Sequence, residues 1–187
     1  KISFSLQCLQ KISITGLEYQ QLTTPEEREL LKYSGICLKD ESGKWSFVHN
    51  NFREYLTARY LADKPIETIK RLITYSNDKT RIKESWQNVL SFLALLYSDQ
   101  ELLDWLQKTS PSSVVKFEIS RIDETTRKNL FYNIFNEYKE KNIWISWDRN
   151  SEEELARFGQ ISEILVFLLR EIEKPTHFRS QANATLQ

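Results

Sequence analysis

The chain is poor in the residues that build metal centres and phosphate loops, with two cysteines, two histidines and four glycines among 187 residues. Cys8 and Cys37 lie far apart with no cysteine–histidine cluster, so we expect both to be buried apolar residues rather than metal ligands. The glycines are too scattered for a phosphate-binding loop, and Gly43-Lys44 is followed by Trp45 where such a loop needs Ser or Thr. Hydrolase nucleophile signatures are also missing. We therefore expect no catalytic residue, no metal and no enzyme activity in this chain.

The chain also has no net charge, since 26 Lys and Arg balance 26 Asp and Glu. Nucleic-acid binding draws most of its affinity from neutralised phosphates, so a neutral chain without a basic run is a poor candidate. No apolar run approaches the ~20 residues that span a bilayer, and no signal peptide opens the sequence. These absences predict a cytoplasmic protein that binds neither nucleic acid nor membrane.

Neither end of the sequence has the features of a domain boundary. It begins at Lys1 without an initiator methionine, in a segment whose few apolar residues suggest a helix, and it ends at Gln187 inside a new segment. We therefore expect an internal fragment of a larger protein.

A helix followed by a β-hairpin is predicted in the first third of the chain. Thr24 and Glu27 can form a capping box, and Gly35 is a natural left-handed end for the helix that they begin. Residues 36–39 and 44–48 then flank a turn-forming tetrapeptide, which indicates a short hairpin. The next helix, with Phe52, Tyr55 and Leu56 expected to anchor it to a core, completes the outline of the end of a winged-helix domain.

From Pro65 onward every segment with a clear period is helical. A long regular helix is predicted from Ile82 to Leu96, and four further amphipathic helices follow it. Such helices cannot bury their apolar faces singly, so we expect pairwise stacking as in an α-solenoid. Residues 143–150 fit no element; Trp144 and Trp147 in this stretch are expected to be buried, with a contact surface as the alternative. The fold class is therefore all-α with one small β-hairpin.

His49 is the one candidate functional side chain. A strand is predicted to deliver it to the start of a helix, where exposed backbone amides and the helix dipole favour an anion. An imidazole at that position can donate to the same anion. It can also simply cap the helix or pack at its base, and the residues alone leave both interpretations open.

Three stretches of the sequence resemble NACHT-family STAND ATPases. Residues 47–58 read FVHNNFREYLTA, which is similar to the signature that closes the family's winged-helix domain. Residues 30–36, LLKYSGI, resemble the preceding helix and Ser-Gly step, and residues 86–93, WQNVLSFL, resemble the first long helix after that domain. Arg53 and Thr57 stand where Gln and Ala are commoner in the family.

The resemblance implies a role in regulation. In the family the corresponding histidine contacts the β-phosphate of bound ADP and helps to hold the inactive state, so His49 would be the nucleotide-contacting residue. Residues 1–63 would be the C-terminal part of a winged-helix domain, and residues 64–187 an α-solenoid-like linker, incomplete at its C-terminal end. The P-loop would precede Lys1, so ADP or ATP would be a cofactor of the full-length protein only.

The partners implied are the nucleotide-binding module of the same chain, a C-terminal sensor and like protomers. Two other functions stay open: a winged-helix DNA-binding fragment that uses residues 52–60 for recognition, and a helical protein-interaction scaffold unrelated to nucleotide.

Overall fold

The computed structural model describes residues 1–97, 101–146 and 151–186. The chain divides into two compact units, Lys1–Leu102 and Leu103–Gln187. It is mostly helical with a small three-stranded antiparallel sheet, which confirms the predicted mixture of many helices and a small β element. The boundary predicted between residues 63 and 64 lies inside the first unit.

The first unit contains six helices and three short strands within its described residues. In chain order these are α1 (Ile2–Leu9), β1 (Ser13–Ile14), α2 (Gly16–Leu22), α3 (Pro25–Ser34), β2 (Cys37–Lys39), β3 (Trp45–Phe47), α4 (Asn50–Leu61), α5 (Ile66–Ile73) and α6 (Gln87–Leu96), with a 3-10 turn at Glu84–Trp86 before α6.

Local capping sets the ends of α2 and α3. The Thr24 hydroxyl accepts from the Glu27 amide at 3.2 Å, and the Glu27 carboxylate accepts from the Thr24 amide at 2.8 Å, so the predicted capping box is confirmed. Gly35 ends α3 with φ +67°, a conformation that disfavours residues with a Cβ. Helix α2 was not predicted from the sequence, although Thr15 and Glu18 form a second capping box at its start.

The sheet has the strand order β1-β3-β2, with both pairs antiparallel. The predicted hairpin is β2 and β3, and Asp40 holds its turn by accepting from the Lys44 amide at 2.9 Å and the Ser42 hydroxyl at 2.7 Å. Strand β1 is an addition to the prediction, because two residues are too short to show a period of two. Beside the sheet, Tyr19 stacks on Trp45 with ring centroids 4.2 Å apart.

Helix α4 buries a different face from the one predicted. Thr57, Ala58 and Leu61 are buried, whereas Phe52 is 45% exposed and Tyr55 is 39% exposed. The expected anchoring is therefore wrong for Phe52 and Tyr55, whereas Leu56 is half-buried. The face that packs inward therefore carries Thr57, Ala58 and Leu61, and not the aromatic rings.

The predicted long helix from Ile82 begins later than expected. Ile82 forms an isolated antiparallel bridge with Thr74, and α6 starts only at Gln87. Backbone pairing with the end of α5 therefore replaces the first helical turn that the apolar spacing predicts.

The second unit is built from helices. The last helices of the chain are α7 (Glu101–Thr109), α8 (Pro111–Val115), α9 (Glu124–Glu140), α10 (Ser151–Phe158), α11 (Ser162–Glu173) and α12 (Phe178–Leu186). Its largest fully buried side chains are Phe117, Phe131, Phe135 and Phe158. Arg127 donates to the Phe158 carbonyl through two nitrogens, at 2.7 and 3.0 Å, and so ties α9 to the end of α10. Solenoid stacking of these helices stays a prediction.

The first half of the unassigned stretch is held by α12. Asn183 accepts from the Ile145 amide at 3.1 Å and donates to the Ile143 carbonyl at 3.0 Å, and Ile145 is buried. Trp144 is 45% exposed and packs edge-on against Phe178, so its expected burial is wrong. Trp147 and the rest of the stretch lie outside the described residues.

Candidate functional site

His49 lies where the sequence predicts, between the hairpin and the following helix. Strand β3 ends at Phe47, and the Val48 amide donates to the Ile36 carbonyl at 3.0 Å, which keeps the chain on the hairpin for one more residue. His49 itself is extended, with φ −140° and ψ 140°, and it is the N-cap residue of α4.

The His49 ring is exposed, and Nδ1 caps the helix by accepting from the Asn51 amide at 3.2 Å. With Nδ1 used as an acceptor, the neutral ring carries its proton on Nε2. In the part of the chain that the structure describes, no group hydrogen-bonds to Nε2. The helix-capping interpretation is therefore observed, and it leaves a donor available for a ligand at a helix start that favours anions.

His177, the only other histidine, makes a useful contrast. Its Nδ1 accepts from the Ser180 amide at 3.1 Å, as His49 Nδ1 does from Asn51. Its Nε2, however, lies 2.6 Å from the Lys139 carbonyl oxygen. Both nitrogens of His177 are occupied within its own unit, which leaves it a structural role.

The first turn of α4 is anchored on two sides. Arg53 donates to the Lys11 carbonyl at 3.1 Å and so fixes the helix to the segment before β1. On the other side, the Asn88 amide nitrogen, in the first turn of α6, donates to Glu54 at 2.6 Å and to the Asn51 side-chain oxygen at 3.3 Å. The His49 helix is thereby attached to the segments that precede and follow it.

This network was not predicted from the sequence, although Arg53, Glu54 and Asn88 all lie in helices that the sequence predicts. The side chains of Arg53 and Glu54 are only 13% and 15% exposed. Charged residues beside the buried face of a helix are a signal of a specific partner, since burial without one is costly. What the sequence does not show is which distant residue supplies the partner.

Two open cavities lie elsewhere in the described chain. A groove of about 290 Å³ in the first unit is lined mainly by apolar side chains of α1, α3 and α4, among them Ile2, Leu30, Leu31 and Leu56. A more polar cavity of about 320 Å³ in the second unit is lined by residues of α7 and α9 and by Pro111. His49 lines neither cavity.

The two cysteines differ in environment, which corrects one expectation. Cys37 is buried as expected, and burial raises the pKa of its thiol to about 11. Cys8 is exposed, so the prediction that both are buried is wrong for this residue. No group of three or more His, Cys, Asp or Glu side chains in the described residues could hold a metal ion.

Comparison of the chain with protein-family models, curated proteins and solved structures finds no match. Among the described helices, none combines the length and the apolar character needed to cross a bilayer.

Proposed function

We propose that this chain is a non-catalytic regulatory segment of a NACHT-type signalling ATPase, in which His49 contacts the β-phosphate of bound ADP. The observation that carries the proposal is the exposed His49 ring at the start of α4, directly after the hairpin, with Nε2 available to donate. The resemblance implies this position for the nucleotide-contacting histidine. The remaining contacts to ADP would come from a nucleotide-binding module of the same protein.

The topology of the first unit supports a winged-helix domain. Three helices precede the β2–β3 hairpin, which would be the wing, and β1 pairs with β3 at the other side of the sheet. On this proposal residues 1–63 are the C-terminal part of that domain and supply α1 to α4 and the three-stranded sheet.

The proposed mechanism is a two-state switch. With ADP bound, His49 ties the winged helix to the nucleotide module and favours the inactive state. Ligand capture by a C-terminal sensor would pull on residues 64–187, break that contact and permit nucleotide exchange and oligomerisation. The contact can act as a latch only if it is lost in the active state, because a ligand shifts an equilibrium by its differential affinity alone.

ADP release from the full-length protein tests the proposal, using two variants that separate the roles of His49. His49→Ala removes both the cap and the ring, whereas His49→Asn keeps an efficient helix cap and removes the imidazole. Losing a hydrogen bond to a charged group predicts about 10- to 100-fold faster release from both variants. His177→Asn is the matched control, because it changes the other helix-capping histidine, and it should release ADP at the native rate.

The two variants also define the contrary results. If both variants release ADP at the native rate, His49 has no role in nucleotide binding, and the alternative function of a helical scaffold is favoured. Faster release from His49→Ala but not from His49→Asn would show that the cap alone matters.

The isolated chain should bind ADP too weakly to measure, because it would contribute one donor to a site held mainly by another module. Isothermal titration calorimetry of the 187-residue chain with ADP tests this expectation. Micromolar affinity would show that the chain holds a nucleotide site of its own, contrary to the proposal.

The DNA-binding alternative finds little support in the helix that it uses for recognition. Residues 52–60 lie in α4 and expose the aromatic side chains of Phe52, Tyr55 and Tyr60. A helix that enters a DNA groove needs cationic and amide side chains outward. Titration with duplex DNA at low salt would detect such binding, and we expect none.

A further inference from the structure

A short chain of hydrogen bonds connects α6 to the His49 ring. The Asn88 amide nitrogen donates to the Asn51 side-chain oxygen at 3.3 Å, and the Asn51 backbone amide donates to His49 Nδ1 at 3.2 Å. Two bonds thus link the candidate nucleotide-contacting ring to a residue 39 positions later in the sequence (88 − 49).

Glu54 fixes the orientation of the Asn88 amide. An ionised carboxylate only accepts hydrogen bonds, so the group 2.6 Å from Glu54 Oε2 has to be the amide nitrogen of Asn88 and not its oxygen. One hydrogen of that nitrogen then faces Glu54 and the other is available for Asn51. The short charge-assisted bond to Glu54 holds the Asn88 amide in place, and the longer bond from Asn88 then orients the Asn51 side chain.

The two ends of this hydrogen-bond chain differ in burial. Asn88 is followed by Val89 and Leu90, both with no exposed surface, so the α6 end is fixed in the core. At the other end His49, Asn50 and Asn51 are all exposed. A helix start leaves amides without intrahelical partners and frays unless other groups hold it. Asn88 therefore constrains the exposed first turn of α4 from one side, as Arg53 does from the other.

We infer that Asn88 is a positioning residue for His49, acting through Asn51 and held in place by Glu54. Its consequence for nucleotide release rests on the proposed function, because orienting Nε2 matters only if Nε2 meets a phosphate. The positioning itself does not depend on nucleotide, so it is tested on the 187-residue chain alone.

The direct measurement is amide hydrogen exchange at Asn51 by NMR, together with the ring ¹⁵N shifts of His49. Asn88→Ala should speed Asn51 exchange about fivefold, as expected for weakening one ordinary hydrogen bond, and should shift the His49 ring resonances. Asn88→Asp keeps the shape but cannot donate to Glu54 when ionised, so it should behave similarly. Glu54→Gln replaces the carboxylate by a neutral amide that can donate as well as accept, so it no longer fixes the orientation of Asn88 and should also speed Asn51 exchange, by less than Asn88→Ala does.

Two controls separate positioning from general loss of stability. Lys83→Met removes a hydrogen bond from Lys83 Nζ to the Leu72 carbonyl, 2.8 Å long, elsewhere in the same unit. It should leave Asn51 and His49 unchanged. The amide of Ser180, which bonds to His177 Nδ1 in the second unit, is an internal reference in every spectrum. Equal Asn51 exchange in Asn88→Ala and Lys83→Met, with native His49 shifts in both, would overturn the inference.

Release of ADP from the full-length protein then tests the consequence. Asn88→Ala should release ADP about fivefold faster, and less fast than His49→Ala, because the ring is misplaced and not removed. If the NMR effects are present but His49→Ala releases ADP at the native rate, the proposed function fails while the positioning role stands. If the NMR effects are absent, the positioning inference fails whatever the release rates are.

Discussion

Gly159→Ala should destabilise the second unit through a direct clash. A Cβ at this position would lie 2.6 Å from two ring carbons of Phe131 and 3.2 Å from the Leu155 carbonyl oxygen. Carbon atoms in favourable contact are about 3.5–4.0 Å apart, so the overlap with the ring is about 1 Å. Phe131 has no exposed surface and stacks at 6.2 Å on Phe135, so the ring cannot move without disturbing its neighbour.

The expected cost follows from measured effects of overpacking. Adding a methyl group to a tightly packed core costs about 1–3 kcal/mol. For a unit of this size each kcal/mol lowers the melting temperature by about 4–8 °C, so a loss of about 2 kcal/mol predicts a decrease of about 8–16 °C. Thermal unfolding by circular dichroism measures the loss, and amide exchange in α9 reports on the second unit alone.

Two comparisons show whether the clash is the cause. Gly35→Ala places a Cβ where nothing lies within 4 Å, so its cost of about 1–2 kcal/mol comes only from the positive φ and affects only the first unit. Adding Phe131→Leu to Gly159→Ala makes room for the methyl group, so the pair should lose less stability than the sum of the single changes. If Gly159→Ala alone melts within about 2 °C of the native chain, the predicted clash is refuted. The clash is also refuted if the double variant loses as much stability as the two single variants together.

Two further predictions concern the first unit, one on the pH dependence of its stability and one on the reactivity of its two cysteines. The pKa of Glu18 is lowered from 4.5 to about 2, first by the Thr15 backbone amide and then by the Lys11 side chain. Because the folded-state pKa is the lower one, this stabilisation is present above about pH 4.5 and is lost toward pH 2. Glu18→Gln should therefore lower the urea midpoint at neutral pH and have no effect at pH 2, and an equal loss at both pH values would contradict the assignment. Titration with a thiol reagent should modify Cys8 in the folded chain and Cys37 only after denaturation; rapid reaction of both in the native state would refute the described burial.

Local sequence signals predicted the elements whose ends depend on neighbouring residues. Thr24, Glu27 and Gly35 fix both ends of α3 through bonds or backbone angles within a few residues. The hairpin turn at residues 40–43 is equally local. Thr15 and Glu18 give an equally local signal for the start of α2. The helix was still not predicted, because seven residues are too few to show a clear apolar period.

Contacts between distant segments decided the features that were missed or wrongly predicted. The two residues of β1 form a strand only because β3 lies beside them. Ile82 pairs with Thr74 and so begins no helix. On α4, the spacing of the aromatics predicts one buried face, but which face packs inward depends on the neighbouring helices.

The same division applies to the candidate site. The sequence by itself determined that a strand leads into His49 and that His49 begins a helix, because chain order, hairpin chemistry and helical period are all local properties. Only the tertiary structure decided that Nδ1 caps α4, that Nε2 bonds to no group in the described part of the chain, and that Asn88 reaches Asn51 and Glu54. The physical reason is that a hydrogen bond depends on distance and direction in space, and the packing of α6 against α4, not the order of residues, brings those groups within reach.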